Sequence, residues 1–388
     1  MENLNSSPKI LNEPPLIKIT HGSAKSIIGI IPVLFLLASC SLNDSTDSSD
    51  TSPSLQDDWL IPVSEVVDGG PGKDGIPSID NPDFLPAGEI NYIPDNRMVI
   101  GVHINGDIRA YPHQILDWHE IVNDEIGNKA VSIVYCPLTG TGMCWNRTLD
   151  GEITEFGVSG LLFRNNLIAY DRGTDSNWSQ MQLRSVNGRH IGRDIEIYQV
   201  VETTWETWKK LYPESMVHTR NTGHQRNYSA YTYGSDYSTN HNRILFPVKN
   251  QDNRLQNKER VHGILGSLTP DDRRLVKVYP IDDFGDGITL VKDEFDTDNY
   301  LITGSREFNF AAAFKRIPGS STAGLEFEAV QDELPVIMQD SEGNKWDIFG
   351  RAVEGPKTGE QLVPARSYTG YWFAWADFFP GLQLHRRE

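Results

Sequence analysis

Apolar and polar positions alternate along most of the chain, the period of half-buried strands. Met98–Ile104 and Asp107–Tyr111 alternate on either side of Asn105-Gly106, a dipeptide that takes the positive φ angles of a tight hairpin turn. Ala130–Cys136 and Gly142–Arg147 flank a glycine-rich turn, and Ile153–Val158 and Leu167–Tyr170 read as further strands. The period then becomes helical. Thr203 or Thr204 caps a helix that runs to Leu211, with Pro213 beyond its end. Trp205 and Trp208 stand at i, i+3 spacing, so one face of this helix is expected to pin it to a sheet; a sugar-stacking platform is the alternative.

The pattern recurs. Trp205, Trp208, Pro213 and His218 are matched by Trp372, Trp375, Pro380 and His385, each 167 residues on. Val99-Ile100-Gly101-Val102 is matched by Val261-His262-Gly263-Ile264, and Asp171 through Trp178 by Asp340 through Trp346. These matches predict a mainly β fold, α+β at the margin. It consists of two tandem, similar β-meander units over about residues 97–220 and 258–388. Each is closed by a short helix, and a Tyr/Gly-rich loop, Asn221–Asn257, joins them.

The first 58 residues read differently. The apolar run Ile27–Leu37 has 11 residues, far short of the roughly 20 that span a bilayer. Lys18 and Lys25 precede it, and Leu37-Ala38-Ser39-Cys40 closes it as a bacterial lipobox. The expectation is a signal peptide over 1–39, a lipid on Cys40, an acidic tether over 40–58 and a folded domain over 59–388. The tether is Ser, Thr and Asp with almost no apolar content, too polar to bury a core. This places the protein in the bacterial cell envelope, extracytoplasmic and held to the membrane through Cys40.

The formal net charge is -18, and removal of residues 1–39, with three lysines against two glutamates, takes it to -19. Such a charge disfavours nucleic acid as a partner. With Cys40 lipidated, Cys136 and Cys144 remain, in a compartment where a pair can oxidise.

Comparison of the two units points to a site. His119, Glu120, Cys136 and Cys144 occur in the first unit and have no counterpart in the second; nor does Ser159-Gly160-Leu161-Leu162. A thiolate with the His119 imidazole suits Cu, Zn or Fe. Cys136 and Cys144 also fit a hairpin disulfide, and Cys136 with His119 as base fits a thiol enzyme, with Arg147 or Arg172 as the positive neighbour. Asp171 and Arg172 lie in a polar turn of the Asx type. His119 and Cys136 are expected within about 8 Å of one another, since a strand rises about 3.3 Å per residue and the segment 119–124 can fold back along 130–136 as a turn.

The blocks Asp117-Trp118-His119-Glu120, Tyr135-Cys136-Pro137-Leu138, Phe156 through Leu162, Tyr170-Asp171-Arg172, Trp178-Ser179-Gln180, Lys258-Glu259-Arg260-Val261 and Trp372 through Trp375 resemble the bacterial family called domain of unknown function 3179. The resemblance runs from about Asp68 to the end. It implies secreted or lipid-anchored proteins of no established activity. Many members show Cys-Pro-Leu-Cys, whereas the second cysteine position here is Thr139, which leaves Cys136 as the stronger candidate. The functional expectation is a tethered lipoprotein that binds a transition metal or small ligand through His119 and Cys136. The alternatives are a thiol enzyme and an envelope scaffold or receptor stapled by Cys136–Cys144.

Overall fold

The protein is seen in a computed structural model that describes residues 59–386. The leader, Cys40 and the tether lie outside the described residues. The described chain is mainly β, with three α-helices: α1 (His113–His119), α2 (Trp205–Leu211) and α3 (Trp372–Phe378). No helix among the described residues is long and apolar enough to cross a membrane.

Three sheets in each half carry the fold, and their strand orders correspond. In the first half, Val200–Thr204, Met98–Ile104, Asp107–Pro112 and Met216–His218 lie side by side, with Phe84–Pro86 at the edge. In the second, Ser367–Tyr371, Arg260–Leu268, Arg274–Pro280 and Gln383–Leu384 take the same order. In both, the last of these four strands pairs parallel to its neighbour. The meander Ile121–Ile126, Lys129–Cys136, Thr141–Asn146, Ile197–Tyr198 corresponds to Thr289–Phe295, Asp298–Ser305, Phe310–Arg316, Val363–Pro364. In the third sheet the strands Phe156–Phe163, Asn166–Asp171, Asn177–Ser179 and Arg184–Asn187, with Val66–Asp68 added at the edge, correspond to Phe327–Ala329, Val336–Asp340, Lys345–Asp347 and Ala352–Glu354.

Local chemistry explains the elements. Asn105 and Gly106 have φ of 49° and 85°, the left-handed pair that a two-residue hairpin requires. Thr204 caps α2, its hydroxyl accepting from the Thr207 amide at 3.3 Å. The segment 119–124 departs from the expected turn. It forms the end of α1 and the strand Ile121–Ile126, paired antiparallel with Lys129–Cys136 through the left-handed Gly127 and Asn128. Five of the six residues of Ile121–Ile126 are buried, including the polar Asn123 and Asp124, so the strand lacks the apolar/polar alternation that marks a half-exposed one.

Each helix lies on the strand pair of its own half and also reaches side chains of the other. Trp208 of α2 packs with Phe349 of the second half (centroids 6.5 Å apart), and Tyr212 donates to Asp347 at 2.9 Å. Phe378 of α3 packs edge-on against Phe163 of the first half at 5.3 Å. The two largest cores therefore draw side chains from both halves. Under each helix a glycine admits the tryptophan. A Cβ on Gly101 would sit 1.9 Å from Trp208 Cζ3, and one on Gly263 would sit 2.4 Å from Trp375 Cη2.

Gly101→Ala and Gly263→Ala should each destabilise by about 3 kcal/mol, the upper range for overpacking a core. Urea unfolding of Gly101→Ala, Trp208→Ala and the double mutant measures the coupling. The double mutant should cost less than the sum of the singles by more than about 1 kcal/mol. Additive losses would show that ring and glycine do not constrain one another.

Candidate functional site

A cleft of about 440 Å³ opens where the halves meet. The first half supplies His113 and Asp117 from α1, Tyr135 from the adjoining strand, and Glu202 from the strand that leads into α2. The second half supplies Arg260 and Tyr371. The segment 231–239, which contains Tyr231, Tyr233 and Tyr237 and has neither strand nor helix, forms the roof.

Pro112, with φ of -67°, starts α1 and orients His113 at its first position. The His113 ring lies 4.3 Å from that of Tyr135, and its Nε2 is 3.3 Å from Glu202 Oε2. Arg260 Nη2 approaches the same Glu202 oxygen at 3.4 Å, and its Nη1 holds Asn309. Glu202 is only 4% exposed, and its Oε1, over the bare Cα of Gly142, has no hydrogen-bond partner. His113 Nε2 also lacks an aligned partner. Burial pushes the Asp117 carboxyl up to about 6, against the pull of His113 and Arg97.

A second layer of chemistry lies behind the cleft. Glu120 ends α1 at φ 57°, an uncommon conformation for a residue with a side chain, and its carbonyl accepts from the Tyr135 amide at 2.7 Å. Burial, then the Asp117 charge, pushes its carboxyl up to about 8, while a bond from Tyr233 opposes the shift. Burial, then Glu120, pushes the Cys136 thiol up to about 11. Lys258 is 3% exposed, and its Nζ has no hydrogen-bond partner. That Nζ lies 3.4 Å from the centre of the Tyr237 ring, 4.8 Å from Tyr371 and 4.9 Å from Phe373. Burial pulls its amine down to about 7.

Of the residues singled out in the sequence, Glu120 and Cys136 come together here; the others serve elsewhere. His119 Nδ1 contacts the Pro77 carbonyl at 2.8 Å and Nε2 the Tyr228 hydroxyl at 2.7 Å. Both ring nitrogens are thus engaged away from Cys136, whose sulfur faces the Asn165 carbonyl at 3.7 Å. No group of three or more His, Cys, Asp or Glu among the described residues is placed to hold a metal ion. Cys136 and Cys144 are free. Cys144 pairs across the sheet with Ile133, three positions before Cys136, so strand alternation puts the two thiols on opposite faces and in different cores. Burial also raises the Cys144 thiol well above its usual range.

Ser159 donates to the Ile168 carbonyl at 2.5 Å within a bulge between Val158 and Leu162, where Gly160 has φ 80°. Asp171 accepts from Trp178 Nε1 at 3.0 Å, an arrangement repeated by Asp340 and Trp346 at 2.9 Å, so it belongs to the architecture. Arg172 ties Asp80 and Glu155 together at 2.8 Å each.

His113, Glu202 and Lys258 escaped the sequence reading. Glu202 and Thr369 occupy equivalent strand positions, as do His113 and Ile281, so the comparison of halves that selected His119 also distinguishes these two. Lys258 and Arg260 lie together in the Lys258-Glu259-Arg260-Val261 block.

The chain matches the model of a protein family of unknown function, DUF3179, over residues 73–382, and it belongs to that family. No curated protein and no solved structure matches it.

Lys258→Met should stabilise the protein, because it removes a buried amine without a partner. The gain is expected on the order of 2 kcal/mol at pH 6. The folded chain holds this proton less tightly than the unfolded chain, so the unfolded state binds more protons between about pH 7 and the ordinary lysine value of 10.5. Wild-type stability therefore gains from Lys258 as pH rises through that window, and the advantage of the methionine should shrink by pH 10. Thermal unfolding of both proteins at pH 6 and pH 10 measures this; a constant or growing difference would contradict the assigned environment.

Proposed function

We propose that this chain is a lipid-anchored protein of the bacterial cell envelope, held outside the cytoplasm through Cys40, and that its cleft binds a small polyhydroxylated ligand. One observation carries the binding reading. Glu202 Oε1 is buried at the cleft without a hydrogen-bond partner, and His113 Nε2 has only the unaligned Glu202 Oε2 at 3.3 Å. An orphaned buried polar atom costs about 1–3 kcal/mol, and a ligand hydroxyl donated to Glu202 offsets that cost. Arg260 offers donors to a ligand oxygen, and the Tyr135 and Tyr371 rings give flat walls to the carbon skeleton.

A metal held by His119 and Cys136 has less support, because both His119 ring nitrogens and the Cys136 sulfur are engaged with other groups. A nucleophilic Cys136 also has less support: its thiol is buried and its ionisation is raised rather than lowered. The lipobox supports the anchor and the polar stretch after Cys40 supports the tether.

Thermal unfolding against a panel of sugars, polyols, amines and divalent metal ions tests the cleft. A bound polyol at 100 times its Kd stabilises by about 2.7 kcal/mol, so its melting temperature should rise by several degrees. Glu202→Gln and Arg260→Ala should remove the shift. Stabilisation by Cu, Zn or Fe alone, lost in His119→Ala, would overturn the reading. For the anchor, Cys40→Ser expressed in a bacterium should leave the membrane fraction. A variant that sediments with membranes as fully as wild type would contradict lipidation at Cys40.

A further inference from the structure

The layer behind the cleft contains an amine, a thiol and a carboxyl in a region that is otherwise aromatic. Cys136 lies within electrostatic reach of both Glu120 and Lys258. Lys258 is the unusual member. A buried ammonium is costly unless it is paired, and Lys258 Nζ has no hydrogen-bond partner, only the faces of Tyr237, Tyr371 and Phe373. A methionine would fill the same space without that cost. The position is not peripheral either. Tyr237 and Tyr371, two of the rings around the amine, also line the cleft, so their rings lie between Lys258 and the cleft. Tyr237 sits on the irregular roof segment, held by its hydroxyl donating to the Leu138 carbonyl at 2.9 Å.

We propose that Lys258 is an amine nucleophile that forms an imine with a small hydroxylated aldehyde or ketone admitted beneath the tyrosine roof. The proposal rests on the cleft reading and names the reactive group of its ligand. The Nζ lone pair forms a bond to the carbonyl carbon as the C=O π pair moves to oxygen, giving a carbinolamine. The C–O bond then breaks as C=N forms. Both N–H protons leave with that oxygen as one water, and no oxidant or reductant is needed. Glu120, which like Lys258 lies within electrostatic reach of Cys136, is the carboxyl suited to deliver and recover the proton. A lysine in an apolar pocket is poised for such chemistry because a larger share of it is the free amine at neutral pH. The hydroxyls of the same ligand would satisfy Glu202, and its carbonyl end would face the aromatic wall.

The test is reductive trapping of the folded full-length protein at pH 7 with glycolaldehyde and cyanoborohydride, with adducts located by peptide mass mapping over time. Lys258 should be modified at least tenfold faster than the median surface lysine. Glu120→Gln should slow trapping at Lys258 while the surface lysines react as before, a change that a merely structural carboxyl would not produce. The wild-type comparison is internal, so it holds even if a variant folds poorly. A Lys258 that stays unmodified, or reacts no faster than the surface lysines, overturns the proposal. Glu202→Gln separates the two readings. Loss of polyol binding by that protein with continued trapping at Lys258 supports the imine independently. Polyol binding by wild type with no trapping at Lys258 overturns the imine and leaves the cleft reading standing.

Discussion

The fold depends on two indole rings laid flat on bare backbone. Trp208 covers Gly101 and Trp375 covers Gly263, each so closely that a single methyl group has no room. That contact sets how near each helix lies to its strand pair, and the strand pairs carry the chain into and out of the helices. Because each helix also presents its other apolar side chains to the opposite half, the same contact fixes the spacing of the halves. Neither half closes its core alone. The cleft is a consequence: it occupies the seam where the strand bearing Glu202 faces the strand bearing Arg260, and its polar groups come from two stretches of chain that meet only in the folded protein.

Beside the Arg260–Glu202 pair, four other ionisable groups of that seam are suppressed by burial. Burial raises Glu120, Asp117 and Cys136 toward their protonated forms and draws Lys258 toward its free amine. Desolvation dominates every one of these shifts, which is the signature of groups held away from water. A core built for stability alone has no use for four such side chains, since apolar residues of the same size pack without the penalty. Their concentration beneath a tyrosine-rich roof is what the proposed ligand site rests on, since perturbed ionisation gathered at a cleft is a recognised accompaniment of function.

Much of the architecture was legible in the sequence because it is local. The Asn105-Gly106 hairpin, the Thr204 cap and the strand Lys129–Cys136 follow from turn chemistry, capping and alternation. The helix α1 was not legible: it has no side-chain cap, whereas α2, of the same length, is announced by the Thr204 cap and the Trp205/Trp208 spacing. The comparison of halves was a sound idea with an incomplete premise. It took one-sided residues as chemical, yet His119 binds Pro77 and Tyr228. Pro77 precedes the first half and Tyr228 belongs to the loop between the halves, so this side chain is one-sided because it attaches segments that occur once. Glu120 and Cys136 passed the same test for a different reason, and Lys258 and Arg260 were invisible to it because the site draws on both halves.

The central claim is that the working site is the seam beneath the tyrosine roof. A crystal structure of the protein isolated from its native cells tests it most directly. The account predicts ligand density in the cleft, in contact with Glu202 and Arg260 and reaching toward Lys258. Density bridging His119 and Cys136, with the cleft filled only by solvent, would contradict it.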